Sequence, residues 1–478
     1  MVKFKQLFSK PSSGASAGEG SNTAGGNTGD SSYAETASFD ETSSQTDDGA
    51  AGGKATAKDT TGDVYTEHAV RRNGSWVGAV FNVMCISIGT GTMNLPSVVK
   101  RCGWFGVILF VLMAVIGWYV GVLFKRAMYS RPGRRLSSFS LVTREAFGKW
   151  GFWFATVITY LYCCGTVISW IIVSGTQITR LLGFAGATLS SKISMTIIAI
   201  VMWIPFTLLK TLSEITISSV FGVLTAMFTV IVLGVVSIQH PYTATYHAPG
   251  YASAPTHSFI IGEGIPSALA SISFMYAGAV AFPHIEGNMR RAGQFGWMLF
   301  LSNSLVCGAY LISAVTGYYS FGSQTLSPIL NNMPDMAIVN AATILIIIHV
   351  VFAAPVMLVS ANLELELAFG VMPGIMGKKK EFVWRFFMRT LTMGILLGIS
   401  IAIPYFGEVI DLVSAISTTV VFFMVPVFCF VKLLGWRNVR VYELALCFII
   451  AGLGAVACVW GLIDAIKALK LAVQEGQG

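Results

Sequence analysis

From residue 76 onward the chain is a succession of about eleven apolar runs, each close to 20 residues long. Wound as a helix, a run of that length crosses the ~30 Å hydrocarbon core of a bilayer. Lipid offers the backbone no hydrogen bonds, so a spanning segment must satisfy its own N–H and C=O groups, as a helix does. The reading is an all-α polytopic membrane protein with about 11 transmembrane helices. The runs fall near 76–99, 103–124, 152–178, 193–209, 214–238, 263–286, 296–321, 336–366, 384–404, 406–432 and 438–465. A chain of 478 residues that is 54% hydrophobic and only 11% charged excludes a soluble domain.

The formal charge of +8 would suit nucleic acid, but the basic residues lie at the ends of the apolar runs. There they report orientation instead, and no nucleic-acid partner is expected. With the N-terminus inside, 25 of the 31 Lys and Arg fall on the cytoplasmic side and 6 outside. That bias predicts a cytoplasmic N-terminus, an external C-terminus and an odd number of spans. Seven of the 8 cysteines sit inside apolar runs and only Cys102 lies near a loop, so neither a disulfide framework nor metal-ligand spacing is present. The start of the chain has no signal-peptide pattern. No Ser-His-Asp, metal or nucleotide motif stands out, so neither an enzyme nor a cofactor is expected.

Residues 1–70 are rich in Gly, Ser, Thr, Ala and Asp and hold 10 of the 23 acidic residues. Such a segment buries too little apolar surface to offset its ordering entropy, and it reads as a disordered cytoplasmic tail, regulatory or inert. Residues 71–466 form the membrane domain, and 467–478 a short C-terminal tail. The loop 239–262 carries His240, His247 and His257 and no Lys or Arg. It reads as an external connector, because spacings of seven and ten match no usual zinc pattern. The glycosylation sequon at Asn73 falls on the cytoplasmic side and is expected to be unused.

Two runs are interrupted by glycine at corresponding places. The first contains Ser87-Ile88-Gly89-Thr90-Gly91-Thr92. The sixth contains Ser273-Phe274-Met275-Tyr276-Ala277-Gly278, ahead of Pro283. Unwound backbone survives at membrane depth only where its polar groups face a ligand, an ion or a cavity. Broken helices in matching positions of two halves therefore mark a transporter binding site. Glycine releases the helical geometry, and the hydroxyls of Ser87, Thr90 and Thr92 can satisfy freed groups or coordinate a cation. Half-helix N-termini suit a carboxylate, and half-helix C-termini suit an ammonium or a metal cation. A zwitterionic amino acid presents both groups on one carbon. Ser273, Phe274, Tyr276 and Gly278 supply the other half of the site, with the two rings placed to close over a substrate side chain. Pro283 is expected to free an upstream carbonyl and reinforce the break. The competing readings are a small-residue packing pair for Gly89 and Gly91, and plain core or lipid packing for the rings.

These residues belong to an ordered set. Asn94-Leu95-Pro96 follows the first break, and Gly103-Trp104 opens the second run. Residues 205–219 read PFTLLKTLSEITISS, Phe-x-Tyr-x-Gly occupies the sixth run, and Glu286 lies past it. Together they resemble the amino acid/auxin permease family, within the larger group of amino acid, polyamine and organocation transporters. The resemblance covers roughly residues 70–465. The Ser/Gly-rich tail and Arg72-Asn73-Gly74-Ser75-Trp76 look most like its kinetoplastid-type branch. The resemblance implies a LeuT-like 5+5 inverted repeat, with repeats near 76–238 and 263–432 and one extra helix near 438–465. It implies an amino acid substrate bound between spans 1, 3, 6, 8 and 10, with proton or sometimes sodium coupling. Many relatives carry His after the sixth-run glycine; here that residue is Ala279, which removes any role given to that His.

Ionisable residues at membrane depth are costly and mark function. His349 lies near the middle of the eighth run, and its charge changes near neutral pH. Glu286, at the end of the sixth run, is a further coupling candidate. Ser360 with first-run carbonyls is the candidate sodium set, and protons are expected over sodium. Glu364 and Glu366 lie at the inner end of the eighth run, where the interface explains them. Glu263, Glu408 and Asp411 are dispersed, whereas a polyamine or organocation carrier, the first alternative, calls for clustered acids. The second alternative is an amino-acid sensor that transports little. The plasma membrane is the expected location, with an acidic organelle as the alternative.

Overall fold

The computed structural model describes residues 56–58, 64–66, 72, 74–208, 215–241, 255–276, 278–368 and 377–475. The sequon at Asn73, most of the 239–262 loop and nearly all of the 1–70 tail lie outside them. Within the stretch expected to lack structure, β1 (Thr56–Lys58) and β2 (Val64–Thr66) pair antiparallel, Thr56 opposite Thr66. Their β-branched and aromatic residues favour a strand pair locally, against the composition of the tail as a whole.

The first span is bent by 44° between α1 (Trp76–Ser87) and a second half that runs Thr90–Cys102. That second half begins as a 3₁₀ turn, Thr90–Asn94, and continues as α2 (Leu95–Cys102). Next come α3 (Phe105–Met128), α4 (Phe139–Phe184), α5 (Ser191–Leu208) and α6 (Ile215–Gln239). The sixth span is again two helices, α7 (Ile265–Met275) and α8 (Phe282–Asn288). Then follow α9 (Phe295–Phe321), α10 (Ala337–Ala368) and α11 (Lys378–Ala402). The tenth span comprises α12 (Phe406–Val413) and α13 (Val425–Leu434), and α14 (Val441–Glu475) is the last. Among the described residues, ten stretches are long and apolar enough to cross a membrane, and the bent first pair makes an eleventh. Five crossings separate the starts of α1 and α7, so the two broken helices run antiparallel. Each set of five spans opens with a break, which is the LeuT-like 5+5 arrangement, and α14 is the addition.

The helices are apolar outward as well as inward. Exposed Ile108, Val111, Leu112 and Val115 line one face of α3, while Phe110, Met113 and Gly117 are buried on the other. Such a surface is stable only in lipid, where apolar burial no longer drives helix association. The interior instead holds small and hydroxyl-bearing residues, such as Thr156, Thr166, Ser169 and Ser174 of α4. Gly165 shows the closeness this allows, because a Cβ there would overlap the Val413 side chain of α12.

Local signals account for the helix ends. The Ser75 hydroxyl accepts from Gly78 N at 3.0 Å and caps α1; Ser138 accepts from Leu141 N at 3.2 Å and caps α4. Pro96, Pro266, Pro283 and Pro426 all stand in first turns, where a missing N–H costs nothing. Pro283 therefore starts the second half of span 6 rather than breaking it. Gly103, at φ 74°, closes α2 where a Cβ would come within 2.7 Å of Ser258 and Phe259 carbonyls. Trp104 N and Phe105 N donate to those carbonyls at 3.1 and 2.9 Å, which explains the Gly-Trp pair at this turn.

Two helices extend past their apolar runs. α4 begins at Phe139 and is interrupted at Gly148 (φ 68°, ψ −154°), so a capped helix precedes the spanning part. Arg144 and Lys149 lower the hydropathy there and hide it from a run-length reading. α14 continues through the stretch taken as a tail, because Ala, Leu and Lys in 466–475 are strong helix formers.

Candidate functional site

The two breaks meet. α1 ends at Ser87, Ile88 is extended (φ −85°, ψ 91°), and the 3₁₀ turn at Thr90 restarts the span. A Cβ on Gly91 would overlap Met275 Sδ and lie 4.0 Å from Phe274 Cε1, so the α7 end abuts the first break directly. Ser87, Gly89, Thr90, Gly91, Thr92, Ser273, Phe274, Tyr276 and Gly278 are all buried. Phe274 packs edge-on against Tyr162 of α4, with ring centroids 5.9 Å apart. Tyr276 packs edge-on against Tyr310 of α9 at 5.2 Å, and its hydroxyl donates to Phe110 O at 3.4 Å. The candidates from two distant runs thus converge, with α4 and α9 completing the wall.

Their hydroxyls divide into used and unused. Thr92 Oγ1 donates to Gly89 O at 2.7 Å, and Ser313 of α9 donates to Thr92 O at 2.8 Å. Ser273 donates to Ala270 O at 2.6 Å and lies 2.9 Å from the Thr418 hydroxyl. The Thr90 hydroxyl and the Asn94 amide nitrogen are buried with no hydrogen-bond partner. The Thr90 hydroxyl stands at the first break itself, whereas Asn94 lies at the start of α2, where its Oδ1 accepts from the Ser327 hydroxyl at 2.6 Å.

Two contributors were not visible as candidates in the sequence. Tyr310 lies in an apolar run, one aromatic among many, yet its hydroxyl reaches Ser87 O at 2.7 Å and Met275 O at 2.8 Å. The tenth span carries π-helical turns at Ser414–Thr418 and Val420–Met424, and Thr418 faces Ser273. Such turns are frequent at functional sites. The signal available was the polar cluster Ser414, Ser417, Thr418 and Thr419 within an apolar run.

The coupling candidates separate. His349 is buried beside the first break: a Cβ on Gly89 would stand 3.9 Å from its Nε2. On its other side a Cβ on Gly222 of α6 would come within 2.8 Å of its Nδ1, so a glycine there makes room for the ring. Ser360 lies eleven residues further along α10, which is about 16 Å of helix rise from His349. Its hydroxyl donates back to Val356 O at 2.9 Å. Glu286 is wholly buried but remote from the breaks, at the end of α8. It pairs with Arg135 at 2.6 Å and accepts from the Tyr129 hydroxyl at 2.5 Å.

That group forms a latch at the basic end of the molecule. Arg135 also donates to Pro283 O, and Arg72 donates to the Tyr129 hydroxyl at 3.1 Å. Burial and the bond to Glu286 raise the Tyr129 phenol above its ordinary value, so it stays protonated and donates. Gly74 N donates to Asn288 O at 2.7 Å and Arg290 N to Gly74 O at 2.8 Å, tying the entry of span 1 to the exit of span 6. At the opposite end Arg101 grips Asp411 in a two-point pair at 2.6 and 3.1 Å, with Ser271 bonded to both. Glu366 was expected to need only the interface, yet it is buried and paired with Arg389 at 2.8 Å. The Glu364 side chain lies outside the described residues.

Comparison with known proteins settles the class. The family described as transmembrane amino acid transporter protein matches residues 72–467. The chain belongs to this family. Curated relatives include the amino acid transporters AVT1C and AVT1B of Arabidopsis thaliana, 24% and 25% identical over 84% of this chain. The alignments cover 72% and 73% of those proteins. The vesicular inhibitory amino acid transporter of Xenopus tropicalis is 24% identical over 82% of this chain and 76% of its own length. Among solved structures, a manganese transporter from Eremococcus coleocola aligns at 11% identity with a TM-score of 0.47, covering 81% of this chain and 85% of that one.

For this transporter family member the ring at 276 yields a direct test. Tyr276→Ala removes a wall shared with Tyr310 and is expected to weaken substrate binding or change side-chain preference. Phe300→Ala, on the Trp118 and Trp297 side of α9, should leave both unchanged. Identical substrate profiles for wild type and Tyr276→Ala would remove Tyr276 from the pocket.

Proposed function

We propose that this chain is a secondary-active, proton-coupled amino acid carrier that works by alternating access around the breaks of spans 1 and 6. The observation that carries the reading is the meeting of two antiparallel helix breaks, Gly91 against Met275, with the buried Thr90 hydroxyl unsatisfied at the first of them. Freed carbonyls at Ser87 and Met275 suit the substrate ammonium, and the helix restarting at Thr90 suits its carboxylate. Family membership supports the substrate class. The acids argue against a polyamine: Asp411, Glu286 and Glu366 are each neutralised by an arginine. The two end latches, Arg101–Asp411 and Glu286–Arg135, are the contacts that alternating access must open in turn.

His349 supports proton coupling, because it is the titratable ring wedged between the first break and α6. By the basic-residue bias, the Glu286 end is cytoplasmic, with the N-terminus inside and the C-terminus outside. The plasma membrane is the location we assign. The vesicular relative favours an organelle membrane as the second reading, and fluorescence of a tagged chain against organelle markers separates the two.

The deciding experiment is uptake of a labelled amino acid panel into proteoliposomes under imposed proton or sodium gradients. Uptake should rise as external pH falls and persist when choline replaces sodium. His349→Gln keeps polarity but cannot titrate, so it should reduce concentrative uptake more than substrate-for-substrate exchange. Uptake that demands sodium and ignores pH overturns the coupling. No uptake of any amino acid, with binding retained, turns the reading to a sensor.

A further inference from the structure

We infer that the Tyr310 hydroxyl stands in for a bound cation between the two breaks and positions their carbonyls for the substrate ammonium; the inference rests on the amino acid carrier reading. Ser87 O and Met275 O are the last carbonyls of α1 and α7. Each is a helix C-terminus and carries the negative end of a helix dipole, about half an electronic charge in the ideal case. Two such ends brought together in a buried, low-dielectric site repel, and they attract any positive group that reaches them. Here one neutral hydroxyl lies 2.7 Å from the first and 2.8 Å from the second.

The mounting suits a fixed part. Tyr310 is wholly buried and sits on α9, an unbroken helix that packs along α1, α2 and α6. Its ring is held edge-on by Phe110 at 6.5 Å and by Tyr276 at 5.2 Å. Three residues along the same helix, Ser313 donates to Thr92 O, so α9 holds the first break on both sides of Gly89–Gly91. A phenol has a single hydrogen for these two acceptors. The hydroxyl therefore donates to one of them at a time, and an arriving ammonium can donate to the other. A carboxylate or an uncharged hydroxyl on the substrate cannot replace it with the same energy, because charge-assisted hydrogen bonds are roughly twice as strong. Tyr310 is thus a positioning residue that makes the site select an α-amino group.

The test compares each amino acid with the analogue in which a hydroxyl replaces the α-ammonium. Wild type and Tyr310→Phe are reconstituted, and L-alanine with L-lactate and L-leucine with L-2-hydroxy-4-methylpentanoate compete against the labelled panel substrate. Without the hydroxyl the two repelling carbonyls are no longer held together, and the misplaced charge-assisted bond should lower the apparent affinity for the amino acid by at least about tenfold, and for the hydroxy acid by less than about twofold. 4-Aminophenylalanine at position 310 restores a donor and should restore the preference. Equal losses for both members of a pair, or an unchanged preference, overturn the inference and leave the carrier reading intact. A wild type that takes up no amino acid defeats the carrier reading instead. Should Tyr310→Phe not yield monodisperse protein, 4-aminophenylalanine and 4-fluorophenylalanine make the same comparison, donor against no donor.

Discussion

Gly91→Val is expected to abolish amino acid uptake while the protein remains folded in the membrane. A Cβ at this position would overlap Met275 Sδ and stand 3.3 Å from Met275 Cε. Methionine is flexible and can retreat from a single methyl, so Gly91→Ala should retain partial activity. Valine adds two branches, and Phe274 Cε1 already lies 4.0 Å from the Cβ position. Overpacking of this kind costs about 1–3 kcal/mol, which a membrane domain of this size survives. The damage falls on function, because Met275 supplies one of the two carbonyls at the meeting point of the breaks. Size-exclusion profiles establish folding, and uptake with binding in the same preparation establishes the defect. Normal substrate affinity in Gly91→Val would show that the breaks are not the clamp.

Arg389→Leu should have the largest effect on stability. Arg389 is wholly buried and holds Glu366 through two bonds, at 2.8 and 3.3 Å. It also donates to Phe206 O at 2.7 Å, joining α5, α10 and α11 at one point. Removing one partner of a buried pair leaves an uncompensated charge and costs about 3–5 kcal/mol, whereas replacing both by apolar groups is often neutral. Arg389→Leu is therefore expected to lower the thermal unfolding midpoint markedly in detergent, and Arg389→Leu with Glu366→Leu to recover most of the loss. Equal midpoints for the single and double variants would mean that the pair is not what holds these helices.

The same buried pair shows where sequence reading stops. Glu366 and Arg389 stand in different runs, and each alone is explained by the membrane interface. The spans, the breaks at Gly89–Gly91 and Tyr276–Gly278, and the antiparallel relation of the two halves were legible in the sequence. Each rests on local physics: the length of an apolar run, the freedom of glycine, the sign of flanking charge. Tertiary structure alone decided which side chains serve those breaks. Tyr310 reads as any aromatic in a lipid-bound helix until α9 is rotated to present its hydroxyl to Ser87 O and Met275 O. Ser360 and His349 share a helix, and only the level of Gly89 against α10 separates them. Glu286 reads as a coupling group until Arg135 and Tyr129, from elsewhere in the chain, are found upon it. In a membrane both faces of a helix are apolar, so hydropathy does not encode rotation about the helix axis. That angle is set by the packing of small and hydroxyl-bearing residues between helices, which is a property of the assembled bundle.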